Sequence, residues 1–412
     1  MMLGTPDRMA FRGDGLAKIM EKITIKIGKT GTKMAKNEEK LSLAVGLMSG
    51  TSCDGVDAAL IETDGEGQVR SIASAFRPYE AHEQALLRRA LDDAHGMKDR
   101  TARPGCLVEA EALVTKAHGE AVAQLLSHDA AKGIKPDVIG FHGQTVWHDP
   151  SAGVTVQIGN GQALANATKI PVVHDLRAAD VAAGGQGAPL VPIYHKALKA
   201  CSVIPLQQPL AIVNIGGVAN ITWISKDGSL IAFDSGPGNA LINDWVFSKD
   251  GLPMDENGAI AAAGSVDFLG LIGLMGNPYF RKPAPKSLDR NAFDISPIQA
   301  MSLEDGAATL TAFTVETLCL GLEHMEIQEG EPAKMVVVCG GGQHNGYMMD
   351  QLGEALDSPV MLAGDLGWNG DGLEAEAFGY LAVRSLRQLP LTFPGTTGVK
   401  QPQTGGVLSP PV

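Results

Sequence analysis

Two strand-length apolar runs bracket a turn of glycine and hydroxyl residues in GLMSGTSCDGVDAALIET, residues 46 to 63. The first run, Leu43 to Met48, and the second, Val56 to Thr63, have strand composition, and Ser49 to Gly55 has turn composition, so the unit reads as a β-hairpin. A P-loop is excluded, because it needs G-x-x-x-x-G-K-[ST] leading from a strand into a helix and no Lys follows Gly55. Gly50, Thr51, Ser52 and Gly55 still offer unhindered backbone N–H groups and two hydroxyls, while Asp54 and Asp57 suit a metal held directly or through water. On these residues alone, an anion-binding hairpin and a plain tight hairpin with Asp at turn positions stand equal.

A chain of 412 residues with 44% hydrophobic content can bury a large core and divides by size into two domains. Its net charge of −13 offers no broad basic field, which speaks against nucleic acid and anionic lipid, so an anionic ligand must be caught by local backbone donors and metal. Five cysteines (53, 106, 201, 319 and 339) are odd in number, scattered and without a C-x-x-C pair. That pattern disfavours a disulfide framework and a zinc site and fits a reducing cytoplasm. No apolar stretch approaches the roughly 18 to 20 residues that span a bilayer, so no membrane association is expected. The first 40 residues are basic and lack the apolar core of a secretory signal; residues 1–33 read as a flexible extension or a misassigned start, and 1–40 are left out of the fold.

Helical periodicity follows the hairpin in EQALLRRALDDAH and EAEALVTKAHGEAVAQLLSHD, and PDVIGFHGQTVWHDP then reads as strand, turn, strand. VTVQIGNGQALANAT and IPVVHDL add a strand, a helix and a strand, completing a first α/β domain over 41–200. The second, 201–390, opens with a looser echo of the hairpin. AIVNIGGVANITWISKDGSLIAFDSGPGNALINDWV gives strand, Gly-Gly turn, strand, turn, short strand, and then D-S-G-P-G opening a helix. A chain built twice on one plan often holds its ligand between the copies. Further on, a buried-type strand in AKMVVVCGGGQHN runs into Gly340, Gly341 and Gly342, suited to close approach by a flat or anionic ligand. A last helix in DGLEAEAFGYLAVRSLRQL precedes a Pro/Gly-rich tail, 391–412, for which little regular structure is expected.

The order of these elements resembles the actin, Hsp70 and sugar-kinase superfamily, and within it the longer motifs are similar to the anhydro-N-acetylmuramic acid kinase family. They are GLMSGTSCDGVD, HGQTVWHDP, DLRAADVAAGGQGAPLVP, NIGGVANIT, FDSGPGNALIND, PKSLDRNAFD, VCGGGQHN, GWNGDGLEAEAFGYLAVR and LPLTFPGTTG, spread over about residues 43 to 400. The resemblance implies a two-domain actin/Hsp70/hexokinase-like α/β fold with nucleotide and substrate in an interdomain cleft. It further implies ATP and Mg²⁺ as cofactors, a homodimer, and conversion of 1,6-anhydro-N-acetylmuramate to N-acetylmuramate 6-phosphate in peptidoglycan recycling. Water attacks the anomeric carbon while the departing O6 takes the γ-phosphoryl group, so a carboxylate must accept the water's proton.

Carried over by motif position, the resemblance makes Asp180 in RAADVAAGGQGAPL the base, although the residues alone also allow a helix N-cap Asp occupied by backbone N–H groups. It makes Glu374 a substrate contact, where a first-turn acid also simply complements the helix dipole. ATP is expected on Gly50, Thr51, Ser52, Cys53, Asp54, Gly55, Val56 and Asp57, on Asp234, Gly236 and Gly238, and on Gly340, Gly341 and Gly342, with Mg²⁺ near Asp54 and Asp234. Cys53 stands where Leu or Met is common and is given no catalytic part. Arg177 and His142 are further candidate substrate contacts. His142, His148 and Asp149 lack the i, i+4 spacing of a zinc hydrolase, so hydrogen bonds to sugar or backbone are expected of them. A kinase for another sugar, and an ATP-driven switch like actin or Hsp70, are the rival readings.

Overall fold

The expected hairpin forms at the start of the described chain: the computed structural model describes residues 40–50, 52–288 and 293–412. The expectations placed on residues 1–33 and on Thr51 lie outside the described residues. Strands β1 (Ser42–Ser49) and β2 (Gly55–Thr63) pair antiparallel from Ser42 opposite Thr63 to Met48 opposite Asp57. A strand that the sequence pattern did not single out, β3 (Val69–Pro78), continues the meander on β2. It is an edge strand of small and charged residues, mostly half-buried or exposed, so its apolar alternation is faint.

Helices α1 (Ala81–Asp93) and α2 (Leu107–Ser127) follow, then β4 (Val138–Asp149), β5 (Val154–Ile158), α3 (Gly161–Thr168) and β6 (Val172–His174). The expected strand–turn–strand in PDVIGFHGQTVWHDP is one strand of 12 residues. Opposite β1, Leu47 faces Phe141 and Ser49 faces Gln144, so β4 carries one extra residue there. Gly143, at φ 73°, absorbs that bulge inside the strand instead of reversing the chain.

After α4 (Ala178–Ala182) and α5 (Pro192–Cys201), the second sheet begins with the meander β7 (Leu210–Ile215), β8 (Val218–Ile224) and β9 (Leu230–Pro237). It continues through α6 (Ala240–Asp250), α7 (Leu303–Glu329), β10 (Met335–Cys339), α8 (Gly346–Ala355) and β11 (Val360–Leu362). Ser302 caps α7, its hydroxyl accepting from the Asp305 N–H at 3.1 Å, and left-handed Gly330 ends it.

The two sheets have the orders β3-β2-β1-β4-β6 and β9-β8-β7-β10-β11, each an antiparallel meander with two parallel strands added on the far side of its first strand, and β5 pairs antiparallel with β4 in the first. The faint echo in the sequence is thus a repeated topology, the duplicated plan of the actin/Hsp70/hexokinase-like fold. One apolar cluster fills the space between the first sheet and α1 to α3, and another lies between the second sheet and α6 and α7. A third joins the facing sides of both sheets through α5 and α9 (Leu373–Leu386).

Helix α9 is buried nearly all round because it lies between the sheets. It sits on β1 and β4 at backbone distance: a Cβ at Gly46 would come within 1.7 Å of the Ala375 carbonyl oxygen, and one at Gly140 within 1.9 Å of that of Phe378. Thus a helix late in the chain belongs to the first sheet's packing. The tail also returns there. β12 (Val407–Ser409) pairs antiparallel with β6, and a short helix, Pro394–Thr397, precedes it. Pro/Gly content therefore marks a tail with few regular residues, yet one fastened to the sheet. Among the described residues, no single helix is long and apolar enough to cross a membrane.

Glu376 of α9 is 1% exposed and accepts the Tyr194 hydroxyl of α5 at 2.7 Å. Burial pushes its carboxyl above the ordinary range. Such a group is neutral in its effect below the unfolded value of 4.5 and destabilises progressively as pH rises from there through the folded pKa. The slope is at most about 1.4 kcal/mol per pH unit. Glu376→Gln keeps an acceptor for Tyr194 and cannot ionise, so its melting temperature is expected to fall less than the parent's between about pH 5 and pH 8, measured by calorimetric scans across that range.

Candidate active site

At the tip of the first hairpin the turn is held from behind. Ser49 donates to Oε1 of Gln144 at 2.6 Å, and Nε2 of Gln144 donates to the Gly50 carbonyl at 3.0 Å. Gln144 is fully buried on β4, so both ends of its amide are spent on fixing the start of the turn. The Cys53 N–H closes onto the Gly50 carbonyl at 3.2 Å, and the Tyr79 N–H donates to the Asp54 carbonyl at 2.8 Å. Cys53 adopts φ 57° and packs its side chain into the first core cluster, as does Val56, so either can face a ligand only through backbone. Ser52 donates to Asp54 Oδ1 at 2.9 Å. Among the described residues a Cβ at Gly50 would meet only the Ser52 hydroxyl, at 3.4 Å, whereas one at Gly55 would strike the Phe76 ring.

The second sheet carries its glycine turns at one edge. β7 ends at Ile215, one residue past Asn214, which pairs with Cys339 at the end of parallel β10, and β9 ends at Pro237 opposite Val218. Gly216, Gly217, Gly238, Asn239 and the Gly340–Gly342 turn therefore lie together. The N–H groups of Gly238 and Asn239 donate to the carbonyls of Gly217 and Gly216 at 3.0 and 2.8 Å. Glycine at 236, 238, 340 and 342 is demanded by the protein's own packing, since a Cβ would overlap Thr317, the Gly216 carbonyl, Asn214 and Ile215 respectively. Around Gly341 the nearest such atom is Asn239 Nδ2 at 3.8 Å, which leaves its backbone accessible.

The start of α9 joins the two halves. Asp371 accepts from Gln343 at 3.0 Å and lies 2.8 Å from His344 Nε2, Gly340 donates to the Gly370 carbonyl at 3.1 Å, and Glu374 accepts from Asn214 at 3.1 Å. Across from them stands Asp57, whose carboxyl is pushed up to about 7 by burial and then by the charges of Asp54, Glu374 and Asp371. The charges at the α9 N-terminus thus act on the hairpin carboxylate of Asp57.

Asp180 lies in the first turn of α4 and is 2% exposed. Oδ1 accepts the hydroxyls of Thr392 at 2.5 Å and Thr397 at 2.6 Å, and Oδ2 accepts the Gly187 N–H at 2.6 Å. The carboxylate is therefore occupied, as an N-cap would be, but mainly by side chains from the C-terminal segment. Arg177 Nη1 donates to the Gly187 carbonyl at 2.8 Å and its Nε to His142 Nε2 at 3.1 Å. Since Arg177 can only donate, His142 Nε2 accepts and Nδ1–H donates to the Gly143 carbonyl at 2.8 Å, which fixes a neutral tautomer. Burial, then Arg177, holds the His142 pKa well below its ordinary value. Burial lowers Arg177 to about 10, opposed by Glu374 and Asp180. Both nitrogens of His142 are engaged by protein. His148 packs beside the same loop, its Nδ1 2.9 Å from the Thr155 hydroxyl, and burial and Arg177 lower it to about 4.

Asp234 keeps different company. Its Oδ2 accepts the Leu288 N–H at 2.8 Å, its N–H donates to the Lys286 carbonyl at 3.0 Å, and its carbonyl accepts the Tyr279 hydroxyl at 2.7 Å. Burial raises it to about 7 while the Leu288 N–H and then Lys286 counteract. Ser287 in that segment donates to Gln186 at 3.2 Å, next to Gly187, so Asp234 fastens a loop that meets the Asp180 loop. Asp57 feels the charges of Asp54, Glu374 and Asp371, while Asp234 feels that of Lys286. Among the described residues no three His, Cys, Asp or Glu side chains already form a ligand cluster.

The residues that pattern reading missed here are Gln144, Tyr79, Asn214, Asp371, Lys286, Thr392 and Thr397. All but Tyr79 lie inside the motifs quoted above. Nothing in local periodicity marks them, because their partners are remote in sequence.

A doubled meander-and-parallel sheet, with glycine turns at the ends of β1, β7 and β10 gathered around the α9 N-terminus, defines the actin, Hsp70 and sugar-kinase class. Comparison with known proteins narrows it. The profile of the anhydro-N-acetylmuramic acid kinase family matches residues 42–411, and the chain belongs to that family. Relatives so described from Rhizorhabdus wittichii and Methylobacterium nodulans are 51% and 50% identical over 371 and 378 residues, covering 90% and 89% of this chain and 99% and 100% of theirs. Solved structures with some likeness include the ADPNP-bound activator of 2-hydroxyisocaproyl-CoA dehydratase from Clostridium difficile, with TM-score 0.41, 10% identity, and 84% of this chain and 97% of that one covered. Another is a ROK hexokinase from Thermus thermophilus, with TM-score 0.37, 14% identity, and 83% and 99% covered. Both are too distant to add to the topology.

Proposed function

We propose that the chain uses ATP and water to open 1,6-anhydro-N-acetylmuramic acid and phosphorylate O6, giving N-acetylmuramate 6-phosphate and ADP during peptidoglycan recycling. Family membership supports the reaction. The assignment of roles rests on one observation, the Asp180 carboxylate held by three donors beside Arg177. Oδ1 has both lone pairs engaged and Oδ2 has one, so Oδ2 retains the capacity to take the proton of the water that attacks C1. With Asp180 shielded from bulk solvent, that water is delivered within the filled cleft, which calls for closure on binding.

The β- and γ-phosphates lie, in this reading, against the backbone of Gly50 and of Ser52 to Gly55, and against Gly216, Gly217 and the 234–239 turn; Gly341 offers open backbone to the rest of the nucleotide. The carboxylates that raise Asp57 fit a divalent cation, because Mg²⁺ is usually held by one or two carboxylates, phosphates and water. Asp54 and Asp57 are the residues proposed to hold it, in place of Asp54 with Asp234. Bound there, it would neutralise charge on the phosphates. Glu374, which acts electrostatically on both Asp57 and Arg177, is placed by this proposal between nucleotide and sugar. Arg177, oriented by His142, compensates Glu374 and Asp180 and contacts the sugar side. A cytoplasmic location and a homodimer complete the reading; the first is supported by five cysteines outside any disulfide, the second by the family resemblance.

Turnover in H₂¹⁸O tests it. Product trapped before its anomeric oxygen exchanges should carry ¹⁸O at C1, with ADP formed only when the anhydro sugar is present. An unlabelled sugar product would mean an ordinary hydroxyl kinase, and ATP hydrolysis indifferent to sugar would mean a switch.

A further inference from the structure

We infer that Thr392 and Thr397 are positioning residues for the reaction: brought from the C-terminal segment, their hydroxyls anchor Oδ1 of Asp180 and so assign Oδ2 as the basic atom. This rests on Asp180 being the base. Each hydroxyl has a single hydrogen, and both are spent on one oxygen, at 2.5 and 2.6 Å. The three side chains are 1%, 0% and 2% exposed, so water does not compete for these bonds. Turning the carboxylate about its last torsion would forfeit both of them together with the Gly187 bond.

The segment that carries the threonines is itself fastened to the same loop. The Thr397 carbonyl accepts the Gln186 N–H at 2.7 Å, one residue before Gly187, and β12 ties the end of the tail to β6. Thr392 and Gln403 form an isolated bridge that holds the two arms of the tail together. Thr396, between the two anchors, behaves differently. It bonds the Phe393 N–H and carbonyl, both at 3.1 Å, and caps its own short helix without touching Asp180. A built-in comparison is therefore available: three buried threonines in one segment, two aimed at the carboxylate and one serving only the local turn.

Thr392→Val and Thr397→Val keep shape and remove the hydroxyl. Each is expected to lower kcat about 10- to 100-fold, the usual worth of a hydrogen bond to a charged group, with KM for ATP and sugar nearly unchanged. Thr392→Ser and Thr397→Ser should recover most of the rate. Thr396→Val should lower the melting temperature and leave kcat near the parent's. In an Asp180→Asn background Thr397→Val should cost little more, because the two act as a unit. The inference is overturned if the Val variants keep their kcat while Asp180→Asn loses it. It is equally overturned if Thr396→Val loses kcat as they do, or if their loss persists undiminished beside Asp180→Asn, since each means a structural role alone. Should Asp180→Asn itself keep its rate, the assignment of the base has failed and not merely that of its anchors. If a Val variant does not fold, Thr392→Ala and Thr397→Ala are judged by the same criteria.

Discussion

Asp180→Asn is expected to bind sugar and ATP and to turn over about 10² to 10⁴ times more slowly than the parent, the usual cost of losing a general base. The larger end is expected, because attack on C1 and departure of O6 are coupled, and a weak nucleophile leaves the phosphoryl group without an acceptor. The substitution also has a local cost. Two hydroxyls bond Oδ1 and an N–H bonds Oδ2, so an amide that keeps its oxygen toward the threonines turns its NH₂ against the Gly187 N–H. That mismatch is worth about 1 to 3 kcal/mol of stability. Activity must therefore be compared well below the variant's melting temperature. Calorimetry of sugar binding beside product formation separates the roles. If binding is abolished while the turnover remaining at saturation is spared, Asp180 is a substrate anchor, and Glu374, half-buried and facing Arg177, becomes the candidate base.

How far the sequence carries depends on the distance between interacting residues. The hairpin β1–β2 and the meander β7–β9 were legible because apolar alternation and turn composition are local, and each strand pairs with its neighbour in the chain. β3 and β12 were not. One is an edge strand of small and charged residues, and the other gains its conformation from β6, more than two hundred residues away in sequence. The same holds for the carboxylate clamp: Thr392 and Thr397 lie 212 and 217 residues beyond Asp180. Asp234 depends on distance in the same way. Its motif resembles a metal–phosphate turn, and what its carboxylate meets, the Leu288 N–H on Oδ2 and the Lys286 charge, comes from a segment about fifty residues on. Only the fold decides which carboxylates become neighbours.

Glycine counts have the same ambiguity, and one pair of substitutions resolves it. Gly50 and Gly238 both lie in turns of phosphate-binding composition. A side chain at Gly50 meets one hydroxyl at 3.4 Å, and the turn is held by bonds to its carbonyl from Cys53 and Gln144 that a side chain leaves alone. Gly50→Val should therefore fold with stability close to the parent's, within about 0.5 kcal/mol. Its branched side chain stands where phosphate must approach the backbone, so kcat/KM for ATP should fall about 10² to 10³-fold, comparable to losing a donor aimed at transferring charge. At Gly238 a Cβ would come within 2.1 Å of the Gly216 carbonyl oxygen, an atom that moves only with its hairpin. Gly238→Val should accordingly lose about 1 to 3 kcal/mol or more through overpacking, visible as a lower melting temperature before any kinetics are measured. Thermal scans and steady-state kinetics on both variants distinguish a glycine kept for a ligand from one kept for the fold. Near-normal kcat/KM in a folded Gly50→Val would remove the first hairpin from the nucleotide site, leaving the turns of the second sheet to hold the phosphates alone.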